Sequence, residues 1–202
     1  MSQIEKIDSN YSIISDYFRK QFSVDQQVSI KEVLEVAPWL LKSDVKFTNA
    51  VISIDDGYIF WERGTWCSGI WVDGIWLDGI WLSGIWDGGI WESGSWIDGI
   101  WESGIWESGI WDKGIWKSGE WESGTWKSGT WLDGTWRDGL WCAGIWRDGV
   151  WEKGKWKRGV WRNGIWKKGV WLNGIWLDGT WYQGKIGDEH GNICDAIFNS
   201  HP

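Results

Sequence analysis

The sequence predicts a mainly β protein, a β-solenoid of five-residue Trp/Gly repeats with a small α/β cap at its N-terminus. Twenty-five of the 26 tryptophans recur at every fifth position from Trp61 to Trp181. A glycine stands three positions after each of them, from Gly64 to Gly184. The segment before Trp61 has neither feature and reads as a short α/β module instead. Three regions follow: a cap or docking segment over 1–60, the array over 61–185, and a C-terminal cap or tail over 186–202.

In the first region, Ile7, Tyr11, Ile14, Phe18 and Phe22 fall at helical intervals. They predict a helix near 9–22, capped by Asp8 or Ser9. Ser29-Ile30-Lys31-Glu32 is a capping-box pattern that opens a second short helix. Pro38 marks its end, and Trp39 is expected to pack with Leu40 and Leu41. Val45 to Ile54 is rich in β-branched residues and reads as a strand. Asp55-Asp56-Gly57 is a turn signal leading through Tyr58-Ile59-Phe60 to Trp61. A solenoid end exposes apolar surface and unpaired backbone, so a cap is expected here.

The unit of the array is Ile/Val/Thr-Trp-x-[Ser/Asp/Asn]-Gly. We call its first residue the leading position, the residue after Trp the slot, and the residue before Gly the penultimate position. A helix cannot carry this period, because five residues rotate it by about 500° and scatter the tryptophans over all faces. Short extended pieces separated by glycine turns remain. They can stack as a parallel solenoid or fold as an antiparallel meander of very short hairpins. Two-residue hairpins favour type I′ turns, which need positive φ at both central residues. Lys113, Ala143, Lys153, Arg158, Lys168 and Gln183 at the penultimate position would be strained there. A type II turn needs positive φ at the glycine alone. The solenoid is therefore favoured.

The array resembles the pentapeptide-repeat proteins. Trp66, Trp71 and their fellows stand where that family places a large inward residue, Leu or Phe. Gly64, Gly69 and theirs stand at its small site, two positions earlier. A larger centre with a smaller partner conserves interior volume. The resemblance covers 61–185 and implies a four-sided, right-handed β-helix. Trp replaces Leu or Phe throughout, and Ile, Val or Thr stands where the family tends to have Asp or Asn. An Asx-stabilised corner is therefore not implied. The array is also similar to uncharacterised Trp-rich WxxG repeat proteins of bacteria and their phages.

Charge in the slots tests the number of sides. At an offset of 20 residues the columns are alike in sign: Lys117, Arg137 and Lys157, or Lys127, Arg147 and Lys167, with Glu102 beside Glu122. At an offset of 15 they are mixed, as in Glu122, Arg137, Glu152 and Lys167. Strands lie about 4.8 Å apart, so like pairs repel. Electrostatics favours three sides and the resemblance four; exposed charges are weak, and four sides are retained as the expectation.

Exposed tryptophan rows could stack sugars or nucleobases. A wholly exposed row would be an apolar patch far above a few hundred Å², so a Trp core is expected. His190 and His201 are the only histidines, and no nucleophile elbow, P-loop, dinucleotide fingerprint or HExxH pattern occurs. Asp188, His190, Cys194 and Asp195 match no strong metal spacing, and no cofactor is expected. Cys67, Cys142 and Cys194 suggest no disulfide framework. With neither a secretory signal nor an apolar span, a cytoplasmic protein is expected, or a virion protein if a phage encodes it.

Net charge is −8, with a pI near 4.8. The charge is polarised: residues 61–112 carry nine acids and one base, and 113–185 seven acids and thirteen bases. Candidate acidic surface residues are Glu92, Glu102, Glu107, Asp112 and Glu122. Candidate basic ones are Lys117, Lys127, Arg137, Arg147, Lys153, Lys157, Arg158, Arg162, Lys167 and Lys168. The expected function is a non-enzymatic binding or structural scaffold with a protein partner, and self-association through the solenoid ends is conceivable. A stacking module for carbohydrate or nucleobase, and a polyanion binder or nucleic-acid mimic, are the alternatives.

Overall fold

The computed structural model describes residues 30–187 and 193–195. The helix expected over 9–22 lies outside them. The described chain begins with helix α1 (Ile30–Val36), where the capping-box pattern placed it, and a 3₁₀ turn over Pro38–Leu41. Strands β1 (Lys46–Asp55) and β2 (Tyr58–Ser68) form an antiparallel hairpin. Its turn residues Asp56 and Gly57 both have positive φ, 50° and 81°, as a tight hairpin requires. β2 already carries Trp61 and Trp66, so the hairpin runs directly into the first coil.

From there the chain is a parallel β-solenoid of about eight turns. Two-residue strands run from β3 (Ile70–Trp71) to β25 (Thr180–Trp181), each made of a leading residue and its tryptophan. Every one of them pairs in parallel with the strand fifteen residues away: Ile105 with Glu120, and Trp106 with Trp121. The ladder repeats two bonds. The slot N–H donates to the Trp carbonyl below (Glu122 to Trp106, 2.8 Å), and the leading N–H donates to the Gly carbonyl below (Glu120 to Gly104, 3.0 Å). This is a Trp repeat consistent with a pentapeptide-repeat-like protein. The meander of hairpins is not formed.

A coil of fifteen residues has three sides, and the four-sided expectation is corrected. Two physical reasons favour three. Consecutive indoles meet edge to face, as Trp121 and Trp126 do at 6.0 Å and 74°, so three large rings close the cross-section. Fifteen-residue stacking also lays each indole flat on its equivalent, as with Trp106 and Trp121 at 4.8 Å and 5°. Both geometries are favoured for aromatic pairs. Three indole columns result, beginning at Trp61, Trp66 and Trp71 on the first, second and third faces. From Trp61 to Trp166 every ring is fully buried. Trp126 and Trp156 donate Nε1–H to the carbonyls of Ala143 and Asn173 at 3.1 Å, while most others, Trp121 among them, lack an acceptor. An unmet donor costs about 1–3 kcal/mol. Burying about 200 Å² of ring is worth about 5 kcal/mol, so burial prevails.

The glycine is required twice over. Gly124 has φ +123°, and a Cβ there would lie 2.6 Å from the Gly109 carbonyl oxygen of the coil below. Among the described non-glycine residues only Asn49 and Asp56 have positive φ. Lys113, Lys153 and Arg158 are thereby spared, as a type II turn allows. The penultimate residue secures the corner. Asp73 accepts the Gly74 N–H at 2.8 Å, whereas Ser108 donates Oγ–H to the Glu92 carbonyl of the coil below at 2.7 Å. Corners with Asp or Asn before the glycine are thus Asx-assisted, from a position where the resemblance did not place that residue.

The two ends differ. At the N-terminal end, Phe47 lies on Trp66 (6.1 Å, 18°) and edge-on to Trp61 (5.4 Å, 90°). Trp39 meets Trp71 edge-on at 4.8 Å. It shares the core cluster with Leu40 and Leu41, as expected, and in addition meets the array's own rings. At the other end β26 (Lys185–Gly187) continues the second face with Ile186 in register with Trp171, and β27 (Ile193–Asp195) pairs back on it antiparallel. Among the described residues, Trp176 and Trp181 there are only half-buried.

Candidate functional site

With the indoles turned inward and the glycines set against the coil below, the leading, slot and penultimate positions form the outer surface. Fifteen residues per coil allot each unit to one face. The first face holds Glu92, Glu107, Glu122, Arg137, Lys153, Lys167 and Lys168. The second holds Asp112, Lys127, Lys157 and Arg158. The third holds Glu102, Lys117, Arg147 and Arg162. Neither the acidic nor the basic set forms one surface; both are divided over three faces. The polarity along the axis is unchanged.

Ion pairs run up the faces at the fifteen-residue offset. Lys117 meets Glu102 at 2.8 Å, Lys127 meets Asp112 at 3.1 Å, and Lys167 meets Glu152 at 2.8 Å. Lys113 and Lys153 reach Asp98 and Asp138 in the same way, at 3.1 and 3.0 Å. Arg137 bonds Glu122 at 2.6 Å and Glu120 at 2.8 Å. Glu120 above all, then Glu122, raises its guanidinium pKa above the usual value. The alternation of sign seen in the slots is thus realised as contacts.

One coil departs from this balance. Residues 155–169 contain Lys155, Lys157, Arg158, Arg162, Lys167 and Lys168 and no acid. Among the described residues only Lys167 of these six has an acidic partner. The belt crosses all three faces, and Lys155, Lys157 and Arg158 share the second. The clustering of Lys153, Lys155, Lys157, Arg158, Arg162, Lys167 and Lys168 within four units is plain in the sequence; that six of them fall within one whole coil follows only from the fifteen-residue turn.

Cys67 and Cys142 are free and half-buried. Both belong to the second face. No three His, Cys, Asp or Glu side chains converge among the described residues in a way that could hold a metal ion. Asp188 and His190 lie outside them. An open hollow at the C-terminal end is lined by Trp171, Leu172, Trp176, Trp181 and Ile186. No helix among the described residues is long and apolar enough to cross a membrane. Searches against protein-family models, curated proteins and solved structures give no match to this chain.

Proposed function

We propose that this is a non-enzymatic repeat protein, a rigid scaffold that binds a protein partner through its outer faces. The reading is supported by a division of labour within each unit. Trp is committed to the interior and Gly to the close stacking of the coils, and three positions remain free to vary on a regular outer lattice. The observation that carries it is the acid-free coil at residues 155–169. Cations gathered in one coil with few counter-charges repel one another, and an acidic protein surface would relieve them. The similarity to WxxG proteins of bacteria and phages extends the proposal to a virion component or a host-interaction protein.

A polyanion binder is the second reading, favoured by the same belt. Stacking of sugars or bases is less well supported, because Trp61–Trp166 offer no exposed ring. Immobilised poly-glutamate and heparin separate the first two. The expected result is salt-sensitive retention on poly-glutamate, lost in the triple variant Lys155→Glu, Lys157→Glu and Arg158→Glu. Retention on heparin alone would favour the polyanion reading. Passage of the wild type through both columns at low salt would sink the basic coil as a binding site.

A further inference from the structure

The third face differs from the other two in a way that points to a specific occupant. Its leading positions, every fifteenth residue from Ile70 to Ile175, are six isoleucines, Val160 and Thr130. The same column is broken by Glu120 on the first face and by Lys155 on the second. On the third face it carries no charge and is an apolar stripe interrupted only by Thr130, with Ile115, Ile145 and Ile175 exposed by 41%, 37% and 57%.

The slot column beside the stripe reads Val72, Asp87, Glu102, Lys117, Leu132, Arg147, Arg162, Leu177. Asp87 stacks under Glu102 and Arg147 under Arg162, two like-charged neighbours. Glu102 has Lys117, but among the described residues neither arginine has an acidic partner within ion-pair distance. Read backwards against itself, the column is complementary. Asp87 meets Arg162, Glu102 meets Arg147, Val72 meets Leu177, and at the centre Lys117, already paired with Glu102 of its own chain, meets Leu132. The other faces are less complementary: reversed about Glu122, the first sets Glu92 against Glu152, and the second opposes one charged pair, Asp112 and Lys127, which already bond within the chain, and sets Lys157 against Leu82.

The penultimate row does not compete. Asp133, Asp148 and Asp178 accept the N–H of the following glycine at 2.6–2.7 Å. Ser103 and Ser118 donate to the Asp87 and Glu102 carbonyls. These side chains are held in the corner, leaving the stripe and the slot column to face outward.

We infer that the third face is a self-association surface, and that its occupant is a second copy of this chain, packed face to face and antiparallel. The two-fold axis runs parallel to the strands, midway between the coils of Trp116 and Trp131. This operator sets stripe against stripe and slot column against slot column. Each opposite-charge pair then forms twice, as an isologous contact requires. A two-fold axis along the solenoid would instead set the isoleucines against the charged column, so the antiparallel arrangement is selected. The face is about 34 Å long and three residues wide, which is small for an obligate dimer. Pairing is therefore reversible and concentration-dependent.

Sedimentation velocity on the full chain tests this. The wild type should dimerise at high concentration and weaken with added salt. Two variants should each be monomeric: Arg147→Glu with Arg162→Glu, and Asp87→Arg with Glu102→Arg. Each should raise the dissociation constant by on the order of 100-fold or more. Mixed in equal amounts, the two should form a heterodimer, since positions 87 and 162, and 102 and 147, again oppose charges of opposite sign. Far-UV circular dichroism checks that the variants fold. A wild type that stays monomeric at its solubility limit overturns the inference. So does a dimer indifferent to both salt and the substitutions, or a pair of folded variants that fail to recombine.

Discussion

The interior and the exterior of this array obey different rules, and one unit, residues 120–124, shows both. Inside, Trp121 lies between Trp106 and Trp136 in a stack that admits one ring shape, and Gly124 sits where a Cβ has no room. Outside, Glu120, Glu122 and Ser123 occupy positions filled elsewhere by Ile, Leu, Lys, Arg or Asp. Close packing punishes a change of one methylene, whereas water accepts almost any side chain. The fold is therefore written in two of every five residues, and the other three are available for recognition.

Substitutions within this single unit can break the contrast or sharpen it. Trp121→Ala should cost the most, about 3–5 kcal/mol by chemical denaturation, as large-to-small changes in a core do. A loss under about 1 kcal/mol would mean that the stack collapses to fill the gap. Gly124→Ala should follow at about 2–4 kcal/mol, from conformational strain and crowding together. An unchanged denaturation midpoint would contradict both the positive φ and the close approach to Gly109. Glu122→Gln should change stability by less than about 0.5 kcal/mol. The side chain is exposed, Arg137 keeps Glu120, and surface pairs are weak. A large loss there would show that the exterior also holds the fold.

Much of the interior was legible in the sequence. The five-residue register, the glycine turns and the buried tryptophans all follow from one period, and Asp55-Asp56-Gly57 announced its hairpin. The number of sides was only half legible. Slot charges at an offset of fifteen pointed to three, but each exposed pair is weak, and the resemblance to a family with smaller core residues outweighed them. Indole size was the missing term, since three edge-to-face rings already close the coil. The role of Ser108 was beyond reach, because its acceptor, the Glu92 carbonyl, is a neighbour only once the coil length is known. For the same reason the charged residues were grouped by sign along the chain, when the molecule groups them by face.

A coil of three units gives the array a reading frame. Excising one unit, such as 120–124, would leave every tryptophan stacked on a tryptophan, yet all later residues would shift to a neighbouring face. Arg147 would leave the column of Glu102, and the message along every face downstream would be scrambled. Excising fifteen residues would shorten the rod by about 4.8 Å and keep each later letter in its line. Two chains of this kind could share every core contact and still present unrelated surfaces, differing only in phase.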